Sequence, residues 1–107
     1  MEPVIENAIV YYNATNHKQL RAHIECQVPN NCSLTTVGFV AVNNNLARAT
    51  FAVTQCSGTA TSLTLMDADA NITLAADYTV NHQTEFVLLF DGDEKKETIS
   101  ARDYKEE

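Results

Sequence analysis

Gln19-Leu20-Arg21-Ala22-His23-Ile24-Glu25-Cys26-Gln27-Val28 alternates without a break. Leu20, Ala22, Ile24, Cys26 and Val28 are apolar, and Arg21, His23, Glu25 and Gln27 between them are polar. Successive side chains of a β-strand point to opposite faces, so this period of two describes a strand with one face buried and one wet. Pro29-Asn30-Asn31 ends it, because proline has no N–H for the ladder and asparagine tolerates the left-handed region.

The neighbouring segments follow the same logic. Residues 4–12 carry Val4, Ile5, Ile9, Val10, Tyr11 and Tyr12, residue types that suit a pleated sheet. Asn13-Ala14-Thr15-Asn16 is the turn that joins them to the alternating strand. Residues 34–42 predict a third strand, with Gly38 marking a bulge or a close backbone approach. Residues 46–55 open with a possible helical turn at Leu46-Ala47-Arg48-Ala49. Thr50-Phe51-Ala52-Val53-Thr54 decides for strand. Residues 61–66 form another strand, 67–71 a polar connection, and 72–80 a strand or extended crossover. Phe86-Val87-Leu88-Leu89-Phe90 is a continuous apolar run that fits a central strand buried on both faces. Asp91-Gly92-Asp93 is a hairpin turn, and residues 97–101 return beside the run.

Strands recurring about every ten residues, with no helical periodicity, predict an all-β, antiparallel two-sheet β-sandwich of about seven strands. The 107 residues suit one domain spanning 1–107, with 103–107 as a frayed charged tail. A formal charge of −7, with seven scattered basic residues, argues against nucleic-acid binding and against anionic membrane surfaces. No apolar run approaches the roughly 20 residues of a membrane helix. Met1-Glu2-Pro3 shows no leader pattern, which leaves a cytoplasmic protein or a domain of a longer secreted chain as the expectations.

Cys26, Cys32 and Cys56 form an odd set, so at most one internal pair can form. Either all three pack as small hydrophobes, or Cys56 bridges to Cys32 or Cys26, with Cys32–Cys56 the disulfide to test first. Their spacing supports no zinc site.

Asp67-Ala68-Asp69-Ala70-Asn71 has the opening of a calcium loop, in which alternating acidic side chains converge oxygens on a hard cation. The sixth position, which should be glycine, is Ile72, and the twelfth, which should be glutamate, is Tyr78. Asp67, Asp69 and Asn71, with Asp77 nearby, remain candidates for a looser calcium site, against the plainer expectation of a solvated loop. Asp91, Asp93 and Glu94 cluster in a hairpin tip, where carboxylates stay hydrated.

Nucleophilic catalysis needs a nucleophile, a base within reach and an orienting group. His23 and Cys26 are three apart, which on a strand puts them on opposite faces. His17 and His82 fall in predicted loops, and three glycines do not make a phosphate-cradling loop. No enzyme and no cofactor are expected. Three N-glycosylation sequons begin at Asn13, Asn31 and Asn71, each in or beside a predicted turn. Adjacent Tyr11 and Tyr12 face opposite sides of a sheet, so that one packs and one can serve as a contact residue.

Val28-Pro29-Asn30-Asn31-Cys32-Ser33-Leu34-Thr35-Thr36-Val37-Gly38-Phe39-Val40 resembles a strand turn of immunoglobulin-like or fibronectin-III-like modules in surface and cell-wall proteins of Gram-positive bacteria. The alternating strand before it and the hairpin over residues 86–100 after it come in the matching order, covering about two-thirds of the chain. The resemblance implies a β-sandwich, a surface location, and a spacer or adhesive role toward a protein or cell-surface ligand. It carries over no catalytic residue. The chain departs from antibody-type domains in having no cysteine in residues 85–90 and no tryptophan. The expected function is thus a non-catalytic extracellular surface module. The alternative is a stand-alone intracellular or viral sandwich that acts by self-assembly or by binding a protein partner.

Overall fold

The computed structural model describes residues 1–43, 46–75, 83–100 and 104–107. They form eight strands: β1 (Val4–Tyr12), β2 (Gln19–Pro29), β3 (Ser33–Asn43), β4 (Leu46–Thr54), β5 (Leu63–Thr73), β6 (Gln83–Phe90), β7 (Asp93–Ser100) and β8 (Lys105–Glu106). Two four-stranded sheets result, in the orders β5-β2-β1-β8 and β3-β4-β6-β7. The protein is all-β, with its sheets stacked as a sandwich over one shared core.

The alternating segment is the centre of the first sheet. β2 pairs antiparallel with β1 on one side and with β5 on the other. Leu20, Ala22, Ile24, Cys26 and Val28 are buried, while the residues between them lie on the outer face. From the second sheet, Phe51 and Phe86 supply the largest fully buried side chains. Their rings lie nearly parallel, with centroids 6.3 Å apart. Burying each such ring contributes about 2–3 kcal/mol from the hydrophobic effect. Of the apolar run, Phe86, Val87 and Leu88 are buried, as coverage on both faces requires, whereas Leu89 and Phe90 at the end of β6 are only half-buried.

The wholly antiparallel expectation is corrected. Four of the six pairings are antiparallel, but β4 runs parallel to β6 and β1 parallel to β8. Parallel neighbours need a long crossover. The chain supplies one by leaving β4, adding β5 to the opposite sheet, and returning in the original direction as β6. Side-chain periodicity reports which face is buried and is blind to the direction of the neighbour.

A second correction concerns residues 67–71, expected as a polar connection before a strand at 72–80. They lie inside the continuous strand β5, and residues 76–80 fall outside the described residues. The alternation is present: Met66, Ala68, Ala70 and Ile72 oppose the inward row of β2, while Asp67, Asp69 and Asn71 oppose the outward row. Two of the inward residues are alanines, too short to give a strong apolar signal, so the segment resembles a linker.

Gly38 sits at a register shift between Thr36 and itself, so it marks a bulge. A side chain there would meet nothing within 4 Å, which excludes a close backbone approach. Asp91 and Gly92 have φ of 49° and 80°, the pair of positive values that a two-residue type I′ hairpin needs.

The two chain ends are tied down. Lys95 donates from Nζ to the carbonyl of buried Pro3 at 2.8 Å. Lys105 and Glu106, within the segment expected to fray, pair with Tyr11 and Tyr12 as β8. The N–H of Glu107 donates to the Tyr12 carbonyl at 2.9 Å. The hydroxyl of Thr84, fully buried in β6, is hydrogen-bonded to the hydroxyl of Tyr104 just before β8. That satisfies a polar group that would otherwise oppose burial.

Candidate functional site

The outer face of the first sheet holds a connected group of charged side chains. Register places them there: Arg21, His23 and Glu25 of β2 lie opposite Asn71, Asp69 and Asp67 of β5. On the other side Arg21 lies opposite Tyr11 and His23 opposite Ile9 of β1. Sheet pairing thus lines up side chains from β1, β2 and β5, the last of them about 40 positions further along the chain.

Asp69 is the hub. Its Oδ1 accepts from Arg21 Nη1 at 2.7 Å and contacts His23 Nδ1 at 2.7 Å. The other ring nitrogen of His23 lies 3.3 Å from Glu25 Oε1. Arg21 also donates from Nε to Glu107 Oε1 at 2.7 Å, and its guanidinium lies 4.3 Å from the centre of the Tyr11 ring. A planar guanidinium suits this double duty, with two carboxylates in its plane and an aromatic face below it.

The charges tune one another. Partial burial pushes the Asp69 carboxyl up, but the hydrogen bonds from His23 and Arg21 outweigh it and leave the group below its ordinary range. Arg21 is driven the other way: burial lowers its pKa, and the bonds to Glu107 and Asp69 raise it to a net increase. Next to this network, Asn13, Gln19, Asn71, Thr73 and Glu107 line an open depression of about 330 Å³.

The calcium candidates fall elsewhere than a loop. Asp67, Asp69 and Asn71 alternate along β5, so their Cα atoms follow one another about 6.6 Å apart and do not wrap around a point. The Asp69 carboxylate is taken up by contacts with Arg21 and His23. Among the described residues no three His, Cys, Asp or Glu side chains converge as metal ligands. In the hairpin tip, Glu94 pairs with Lys96 at 3.4 Å.

His23 and Cys26 part as their spacing requires: His23 joins the outer network and Cys26 is buried in the core. Burial, followed by repulsion from Glu6 and Glu97, pushes the Cys26 thiol up to about 11, which leaves it a poor nucleophile at neutral pH. His17 packs edge-on against Tyr12 at 5.3 Å, and His82 lies outside the described residues. Tyr12 packs against the core while Tyr11 lies under Arg21 on the outer face.

Cys32 and Cys56 form a disulfide. It closes one end of the sandwich, where the 29–32 turn meets the 55–62 loop. Around it Asn31 donates from Nδ2 to the Gly58 carbonyl at 3.0 Å. Asn30 accepts from the Thr61 N–H at 3.1 Å and donates to the Thr61 hydroxyl at 2.8 Å. Of the three sequon asparagines, Asn13 and Asn31 flank strands in turns, and Asn71 lies within β5 for the reason given above.

Arg21 and Glu107 were not legible as site residues. Glu107 reaches the network only because β8 is laid beside β1, and no local pattern announces that pairing. Comparison of the chain with protein-family models, with curated proteins and with solved structures finds no match in any of the three.

Proposed function

We propose that this chain is a non-catalytic extracellular module of a larger surface protein, serving as a spacer or as a binding domain toward a protein or cell-surface ligand. The observation that carries this is the Cys32–Cys56 bridge at the end of the sandwich. Disulfides persist in oxidising compartments and are rare where glutathione keeps thiols reduced. Two further features support it. The surface is acidic, and the molecule is elongated, 47 Å along its longest axis against 24 and 18 Å across, as suits a spacer.

The immunoglobulin-like resemblance belongs to this proposal in one respect and departs from it in another. An immunoglobulin sandwich sets its first, second and fifth strands side by side, as β1, β2 and β5 are here. It also sets its third strand beside its sixth, a place that β4 takes in this chain, parallel to β6. The role is therefore proposed on the bridge and the surface, and the family name is not needed for it.

A thiol titration under denaturing conditions, after equilibration in an oxidising glutathione buffer, tests the proposal. One free thiol, that of Cys26, is the expected count. Three would remove its main support and leave the competing proposal, an intracellular or viral sandwich acting through assembly or a protein partner.

A further inference from the structure

The depression beside Arg21 has a regular floor. Gln19 stands opposite Thr73, and Arg21 opposite Asn71, across the ladder between β2 and β5, and these side chains share the outer face. They form a two-by-two block, about 5 Å across the strands and about 6.6 Å along them. Two walls stand on the β1 side. One is Asn13, whose Oδ1 accepts from the Thr15 N–H at 2.9 Å, the Thr15 hydroxyl at 2.7 Å and the Asn16 N–H at 3.1 Å. The other is Glu107, held by Arg21 and by its own N–H on the Tyr12 carbonyl. The space they enclose, about 330 Å³, lies at the small end of the range for small-molecule sites.

The charges that line it are paired with each other. Arg21 donates to Glu107 and to Asp69, so the lining offers no unpaired cation to an anion and no unpaired carboxylate to a cation. What is left for a ligand is neutral. Among the described residues, the Asn71 amide, the Thr73 hydroxyl and Nε2 of Gln19 have no hydrogen-bond partner, and Gln19 Oε1 is reached only by Asn13 Nδ2, at 3.4 Å. Each of these side chains both donates and accepts. The matching ligand carries several hydroxyls around a small frame. A hydroxyl also donates and accepts, and an amide spans two neighbouring hydroxyls with its oxygen and its nitrogen. A trans peptide group has one donor and one acceptor pointing opposite ways, so it reaches fewer of these side chains at once. Tyr11 adds no stacking platform, since the Arg21 guanidinium lies over its ring at 4.3 Å. Recognition therefore rests on hydrogen bonds to exposed groups, which sets the affinity in the millimolar range.

We propose that this depression is a saccharide subsite that takes one neutral sugar ring of a cell-surface glycan. Asn71 and Gln19 each bridge neighbouring ring hydroxyls, and Thr73 binds a further one. The walls are already in place, so binding has few side chains to order. The inference rests on the reading of the chain as a surface module with a cell-surface ligand, and it names the class of that ligand. The two fail separately. Three free thiols would remove the extracellular setting and leave a sugar titration untouched, whereas a failed sugar titration beside one free thiol removes the subsite alone.

An NMR titration of the isotope-labelled full chain, with the Cys32–Cys56 bridge formed, reads the site residue by residue. The probes are D-glucose, D-galactose, D-mannose and N-acetyl-D-glucosamine, each up to about 100 mM, with glycerol as the control for hydroxyls without a ring. At least one sugar is expected to give saturable shifts centred on the amides of residues 19–21 and 71–73. Thr73→Val, which keeps the shape of the side chain and removes its hydroxyl, and Asn71→Ala are each expected to weaken that sugar about fivefold or more, with unchanged melting temperature. Should one variant not fold, the other and Gln19→Ala carry the same comparison. No saturable shift with any of the four sugars, shifts that glycerol reproduces, or variants that bind the sugar like wild type would each overturn the proposal.

Discussion

Arg21 and Glu107 stand 86 positions apart and meet at 2.7 Å, fastening the end of the chain to the middle of the first sheet. The contact has three supports: the ion pair itself, the Glu107 N–H to the Tyr12 carbonyl, and the ladder between β8 and β1. Ion pairs with this much exposure contribute little, about 0.2–1 kcal/mol. Glu107→Gln should therefore lower stability by no more than that, while deleting residues 105–107 should cost more because backbone pairing is lost with it. Urea titrations of the two variants check the order, and equal losses would show that β8 contributes nothing.

Asp69 gives the stability of the protein an acid limb. Its carboxyl titrates lower in the folded protein than its ordinary value of 3.8. The unfolded chain therefore takes up the proton first as pH falls. The stabilisation is complete above the unfolded value and disappears as pH drops through the folded one. Asp69→Asn should be less stable than wild type at pH 6, and the gap should close below about pH 4. Melts between pH 2.5 and 7 measure it. A gap independent of pH would mean that the lost contact is steric and not ionic.

Cys26 should be silent toward thiol reagents in the folded protein at pH 8, and should react once denaturant exposes it. Its thiol is buried and pushed up to about 11 from an ordinary 9.0. The sign of the linkage is opposite to that of Asp69. The unfolded thiol ionises first, so stability falls as pH rises above 9. Mass spectrometry after timed alkylation gives the first outcome, and denaturation curves at pH 8 and 10 of wild type against Cys26→Ala the second.

The Cys32–Cys56 bridge closes a loop of 24 positions. By the chain-entropy account, closing such a loop stabilises the folded state by roughly 3 kcal/mol. Cys32→Ala/Cys56→Ala should lose about that much, detectable as a lower denaturant midpoint with a somewhat steeper slope, because the unfolded chain is no longer cross-linked. A variant as stable as wild type would show that the hydrogen bonds of Asn30 and Asn31 hold this end alone.

Gly92→Ala should cost about 1 kcal/mol or more, through backbone strain only. Its φ is 80°, yet an added Cβ would touch nothing within 4 Å. Gly38→Ala, at a position with no positive φ, should be near neutral in thermal melts, which separates a conformational need for glycine from a mere bulge.

The two-residue period of residues 19–28 was enough, on its own, to give β2 its position and its buried face, since strand geometry allows no other outcome for such a pattern. The hairpin at Asp91 and Gly92 was equally legible, because the backbone values it needs are rare outside glycine and its neighbours in turn chemistry. Residues 67–71 resemble a linker in sequence for a physical reason: Ala68 and Ala70 are small enough to face a core without giving a strong apolar signal. Those local properties follow from residue type and spacing alone. Tertiary structure decided the rest. That β4 and β6 run parallel, that Asp69 is shared by Arg21 and His23, and that Glu107 returns to Arg21 all depend on which strands become neighbours. Neighbour choice is settled by how the two sheets bury Phe51, Phe86 and Ile24 together, a three-dimensional packing problem with no counterpart in the order of residues along the chain.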